Sequence, residues 1–293
     1  MILSRLSNRA HPFRECHGAA KRARLGFMAV EALGHVTIQS GILCIVDFGM
    51  AGAFSGDRSG AAAARATVAR GAYAFEHNEV PAVAVPNLPP GRYPVSSLRF
   101  DGGEFAGLRQ AVMVDLVPNP QAARTIELGR VLVDNARLGL FDVDALEHWN
   151  EDKPVDGMAD IVFWGLHENE VAQRFRAPKV GEDGSGFTNL PVAQAEAIAR
   201  DLDALKNSGQ FRFAWDFRPH THPYYLLAQM RKHPNEAGVL QVGGYGTCGF
   251  MTSWGDGEFP VMLDLDTSGR PIRCGIAFAT QEAFANMRAV NGR

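Results

Sequence analysis

At 293 residues, with 46% apolar and 21% charged side chains, the chain is long enough for one sizeable core and ordinary in composition for a globular protein. A net charge of −3 removes any global electrostatic case for nucleic-acid binding, and no apolar run approaches the roughly 18 residues that a membrane span needs. Cys16, Cys44, Cys248 and Cys274 lie far apart without a Cys-x-x-Cys pair. That spacing argues against a disulfide framework or zinc knuckle and for a reducing, cytoplasmic home.

Residues 1–34 read as a disordered leader or as an over-long start ahead of Met28. Arg5, Arg9, Arg14, Lys21, Arg22 and Arg24 outnumber Glu15 there, and no apolar secretory segment accompanies them. Residues 35–293 are expected to form a single, mostly β domain. "HVTIQSGILCIVD" (35–47) predicts two short strands split at Ser40-Gly41. A short helix over 61–70, capped by Ser59, precedes the proline-rich stretch 80–95, whose prolines favour edge segments. Strands follow near 95–100, 109–117 and 131–134.

A helical insertion is expected across about 142–237. Asp142 caps a short helix in "DVDALEHW", and "ADIVFWG" is a buried strand. The clearest helix spans 191–206, where Val192, Ala195, Ile198, Leu202 and Leu205 make one apolar face. "QFRFAWDF" then alternates, with Phe211, Phe213, Trp215 and Phe217 on one side. A helix over 224–233, a strand over 238–242, a glycine loop in "GGYGTCG", a β-rich block over 248–278 and a helix after Thr280 complete the chain.

The chain also repeats itself. "GRYPVSSLRFDGG" (91–103) echoes "GEFPVMLDLDTSG" (257–269), and each returns through an apolar segment. The reading is two related β-hairpins, in which the aromatic and Val bury on opposite faces and Asp264 and Asp266 point outward. The fold class that follows is α+β and predominantly β, a sandwich-like antiparallel core with two related hairpins and a helical insertion.

Candidate chemistry concentrates in two places. In "DFRPHTHPYY", His220 and His222 would point the same way on an extended chain, the spacing by which two imidazoles grip one divalent metal. Asp216 precedes them and His233 follows on the next helix. The plainer reading is that the histidines cap the helix or bond backbone groups, and that Asp216 pairs with Arg218. In "SWGDGEFPV", Asp256 and Glu258 could serve as acid and base, although Asp256 alternatively caps a turn. Trp254, Tyr245 and Arg218 are candidate ligand contacts. Gly244-x-Gly246-x-x-Gly249 lacks the helix that a dinucleotide site requires, and Cys248 reads as core filler rather than a nucleophile.

"SWGDGEFPVMLDLDTSGRPIRCGIAF", together with Ser40-Gly41 leading to Asp47, "PPGRYPV" and "VDNARLGLFDVDA", resembles the bacterial family known as domain of unknown function 4241. The likeness covers about 35–145 and 238–278; Phe48, Asn135-Ala136 and Trp254 depart from it. The resemblance strengthens the β fold and implies no activity. Two functions stand: a non-catalytic binding or accessory protein, such as an immunity-type partner, with a protein or small-molecule partner, or a metal-dependent hydrolase using Asp216, His220 and His222 with Asp256 and Glu258.

Overall fold

The computed structural model describes residues 30–51, 59–77, 80–102, 105–181 and 184–279. The leader up to residue 29, the Ser59 side chain and the helix expected after Thr280 lie outside the described residues. The first half of the chain runs β1 (Val30–Ile38), β2 (Leu43–Asp47), α1 (Ser59–Ala69), β3 (Ala74–His77), β4 (Val80–Val85), β5 (Gly91–Arg99) and β6 (Arg109–Asp115). The second begins with β7 (Arg124–Val133), β8 (Arg137–Asp142) and the one-turn α2 (Val143–Leu146). A module follows: β9 (Met158–Trp164), α3 (Glu168–Phe175), β10 (Ser185–Pro191), α4 (Val192–Asn207) and β11 (Ala214–Pro219). The chain then returns through α5 (His222–Lys232), β12 (Ala237–Val242), β13 (Tyr245–Met251), β14 (Gly257–Leu265) and β15 (Pro271–Ala277).

Two six-stranded antiparallel sheets, ordered β1-β5-β6-β15-β14-β7 and β12-β13-β8-β2-β4-β3, form a sandwich. Alternation sends Val36, Val95 and Val261 from one sheet, and Ile45, Leu140 and Phe250 from the other, into a shared core. Each such side chain contributes about 1.5–3 kcal/mol by leaving water. The opposite face of the second sheet is covered by α1, α2 and α5, which bury Val46, Ala84 and Phe141 with Trp149, Leu226 and Met230. The module has its own three-stranded sheet, β10-β9-β11, whose Ile161 and Phe163 pack with Val171, Ala195 and Leu202 of α3 and α4.

The echo read in the hairpins extends to the whole sandwich. Exchanging β1 with β7, β2 with β8, β3 with β12, β4 with β13, β5 with β14 and β6 with β15 leaves both strand orders unchanged. The registers agree residue by residue: Tyr93 faces Val36 as Phe259 faces Val131, and Val95 faces Val114 as Val261 faces Ile276. Each edge strand bulges at a Leu-Gly step, Leu33-Gly34 in β1 and Leu128-Gly129 in β7. Both glycines have positive φ, 143° and 151°, and a Cβ on either would strike the opposite sheet, at Val239 or Ala74.

Two aspartates fasten the halves reciprocally. Asp142 Oδ2 accepts from the amides of Gln39 and Ser40 at 2.5 and 2.9 Å, and Asp47 Oδ2 accepts from those of Asp134 and Asn135 at 2.6 and 3.0 Å. The remaining oxygen of each takes the amide two residues on, Gly49 or Asp144, at 2.8 Å. Thus each aspartate ends its own strand and closes the turn of the other half.

Several expectations need correcting. The first strand starts at Val30 rather than 35, which puts residues 30–34 inside the sheet. Tyr93 and Val95, two apart, share the buried face, as period-2 geometry requires. β4 lies inside its sheet because the four-residue β3 covers it. The insertion is an α/β module, while α2 and α5 belong to the sandwich. The glycine loop is a two-residue hairpin turn at Gly243 and Gly244, with φ of 59° and 92°. The residues after it form β13, in which Gly249 lets Leu226 of α5 approach closely. Asp264 is buried and accepts from the Thr125 hydroxyl, whereas Asp266 is a turn residue bonded to the amides of Ser268 and Arg270.

Candidate functional site

The histidine segment lies where the module rejoins the sandwich. β11 ends at Pro219, paired with Ala159 of β9, and Thr221 caps α5 by accepting from the Tyr224 amide. This cap turns the chain between the two histidines, so they do not project together as an extended chain would have them.

His220 is buried between two carboxylates. Its Nδ1 lies 2.9 Å from Asp156 and its Nε2 3.0 Å from Asp160. The Tyr225 hydroxyl donates to Asp156 at 2.6 Å and the Tyr224 hydroxyl to Asp160 at 2.7 Å. The Met158 amide donates to Asp156, and the Asn189 amide to Asp160, both at 2.8 Å. The Tyr224 ring stacks on the imidazole at 4.3 Å.

The charges follow from these contacts. Burial opposes a charged imidazole, but the hydrogen bonds and charges of both aspartates outweigh it and hold His220 above its ordinary value. Desolvation likewise opposes the two carboxylates, and their donors nevertheless hold both below the usual range. Tyr225 is pushed up to about 12, first by its bond to Asp156 and then by burial. Each ring nitrogen of His220 thus faces a carboxylate, and two tyrosines close the cluster: a joint between module and sandwich.

His222 turns to the other side of the joint. Its ring stacks on Trp149 at 5.3 Å, and its Nδ1 accepts the Asn150 amide at 2.8 Å. Burial, then the charge of His148, lowers its pKa. Asp216 is bonded to Arg218 at 2.7 Å, the pairing that the spacing allowed. His233 ends α5 as its C-cap.

The "SWGD" segment is an ordered turn. The Thr252 hydroxyl donates to the Gly255 carbonyl at 2.7 Å, and Ser253 and Gly255 have φ of 67° and 76°. Asp256 accepts from the Ala136 amide at 2.8 Å, which ties this turn to the β7–β8 turn. The Trp254 indole donates to the Arg109 carbonyl at 2.6 Å, and its ring packs on Phe105 at 5.3 Å. Glu258 lies 3.3 Å from Arg130 on the surface. The Tyr245 hydroxyl donates to Asp144 at 3.2 Å. Cys248 is buried in β13, where desolvation pushes its thiol up to about 12.

Among the described residues, no group of three or more His, Cys, Asp or Glu side chains is arranged to hold a metal ion. The members of the joint that sequence reasoning missed are Asp156, Asp160, Tyr224 and Tyr225. The adjacent tyrosines after "HTHP" were the available signal, since a helix starting at His222 brings them back towards His220. No family model matches the chain, and no significant match was found among curated proteins or solved structures.

Proposed function

We propose that this chain is a non-catalytic binding or accessory protein, of the immunity-type partner kind, that acts by presenting a surface. One observation carries the reading: the candidate acid and base side chains each have a partner within the chain, and among the described residues no three of them gather to hold a metal. Asp216 bonds Arg218, His220 lies between Asp156 and Asp160, His222 takes a backbone amide, and Asp256 does the same. A general base needs a lone pair free for substrate, and His220, with each ring nitrogen against a carboxylate, offers none. The module also presents Trp164 and Leu166 to solvent, 39% and 73% exposed, which suits a protein partner. No helix among the described residues is long and apolar enough to cross a membrane, and the buried free thiols of Cys44, Cys248 and Cys274 suit a reducing compartment.

The alternative, a hydrolase with a divalent metal on Asp216, His220 and His222, is separated by elemental analysis of the purified chain. The binding reading expects no stoichiometric metal and a thermal midpoint that chelation leaves unchanged. Stoichiometric metal that disappears from the Asp216→Ala, His222→Ala double variant would overturn it.

A further inference from the structure

A groove of about 390 Å³ opens between α5, the start of β8 and the end of β13. Its walls are Leu227, Met230 and Met251, and two guanidiniums, Arg137 and Arg231, border it with the imidazole of His233. The one carboxylate on its rim, Glu236, lies 3.9 Å from Arg99. The Arg137 guanidinium sits over the Phe48 ring, 5.8 Å from its centroid, and its Nε is buried without a hydrogen-bond partner. A buried donor of this kind is destabilising unless something accepts from it.

The neighbouring acids are already engaged. Asp47 and Asp256 are near enough to act on Arg137 through their charge. The oxygens of Asp47, however, receive the amides of Gly49, Asp134 and Asn135, and Asp256 Oδ1 receives that of Ala136. Arg231 adds a like charge that, after desolvation, lowers the Arg137 pKa further. Two guanidiniums facing one groove repel each other unless an anion lies between them.

The internal repeat supplies a control. The residue in the first half that corresponds to Arg137 is Ile42: each directly precedes the inner residue, Leu43 or Leu138, of a strand that ends in the fastening aspartate. Ile42 packs against the cluster beneath the helices. The fold therefore accepts an aliphatic side chain at this position, and the cation in the second half answers to something else.

We propose that this groove binds a small oxyanion carried on an apolar body. Arg137 and Arg231 hold the oxyanion, and Leu227, Met230 and Met251 hold the body. Carboxylates and phosphate monoesters share the recognised chemistry. The shape fits: pockets for small ligands are mostly apolar, with a few polar groups that fix orientation.

The test is calorimetric titration of the full chain at low salt with two probes, octanoate and inorganic phosphate. Saturable binding of octanoate alone identifies the carboxylate source, and binding of phosphate identifies the phosphate source; either supports the site. Arg137→Ile, which installs the residue of the twin position, and Arg231→Gln should each weaken binding roughly tenfold, the loss of one charge-assisted contact. The Ile variant should melt no lower than the parent, which separates loss of the site from loss of the fold. Absence of saturable binding by both probes, or unchanged affinity in both variants, would overturn the proposal.

Discussion

At the scale of single residues, the joint around His220 makes the strongest demand. Replacing His220 by Ala leaves the Asp160 carboxylate buried with one partner fewer, a loss of about 3 kcal/mol that urea denaturation would register. The pH dependence has a definite sign. His220 has a raised folded pKa, so its contribution is complete below its unfolded value, near 6.5, and fades as pH rises through the folded one. Asp156 and Asp160 are lowered, so theirs is complete above about pH 4–5 and fades as pH falls through their folded values. The parent should therefore exceed His220→Gln most between about pH 5 and 6.5, with a smaller gap at pH 9. A gap that instead widened as pH rose through about 6.5 would mean that the ring is held as a neutral imidazole. The two acids of the joint were not legible from the sequence, because they lie 64 and 60 positions from His220 and only the pairing of β9 with β11 unites them. The Asp216–Arg218 pair was legible, since alternation along one strand suffices for it.

At the scale of elements, what could be read depended on periodicity. The α4 face was plain because Ala195, Leu202 and Leu205 recur at helical spacing and are buried. β13 was hidden because glycines stand where a helix crosses it. A Cβ on Gly249 would lie 2.5 Å from Leu226 Cδ2, so α5 rests directly on strand backbone. Gly249→Ala should cost about 1–3 kcal/mol by overpacking. Combining it with Leu226→Ala should cost less than the two losses added, because the smaller side chain vacates the contested space. Thermal melts of the three variants would decide this, and strict additivity would mean that α5 shifts instead. The reciprocal aspartates make a matching case: Asp47→Ala and Asp142→Ala each remove one strand-end fastening. Each should lower stability by about 2–3 kcal/mol, measured as a shift in the denaturant midpoint.

At the scale of the whole molecule, the module is an interruption of one half. Its ends lie side by side, because Ala159 is paired with Pro219, and its apolar cluster is separate from the two clusters of the sandwich. Joining residues 157 and 220 by a short glycine–serine linker should therefore leave a sandwich that melts in one cooperative transition, which circular dichroism would follow. A chain that fails to fold would show that the joint supports the sandwich as well as the module. The duplication itself was only partly legible. "GRYPV" and "GEFPV" keep a proline and an aromatic that mark the strand start, whereas "LGHVTI" and "LGRVLV" exchange one aliphatic for another at core positions. In the second half the module further separates the matching segments. A protein built twice over carries its own reference copy. Where the copies agree, as at the Leu-Gly bulges and the two fastening aspartates, architecture accounts for the residue. Where one copy alone departs, as at Arg137 and the module with Trp164, selection for something other than folding becomes the simpler explanation, and those departures are the places to mutate first.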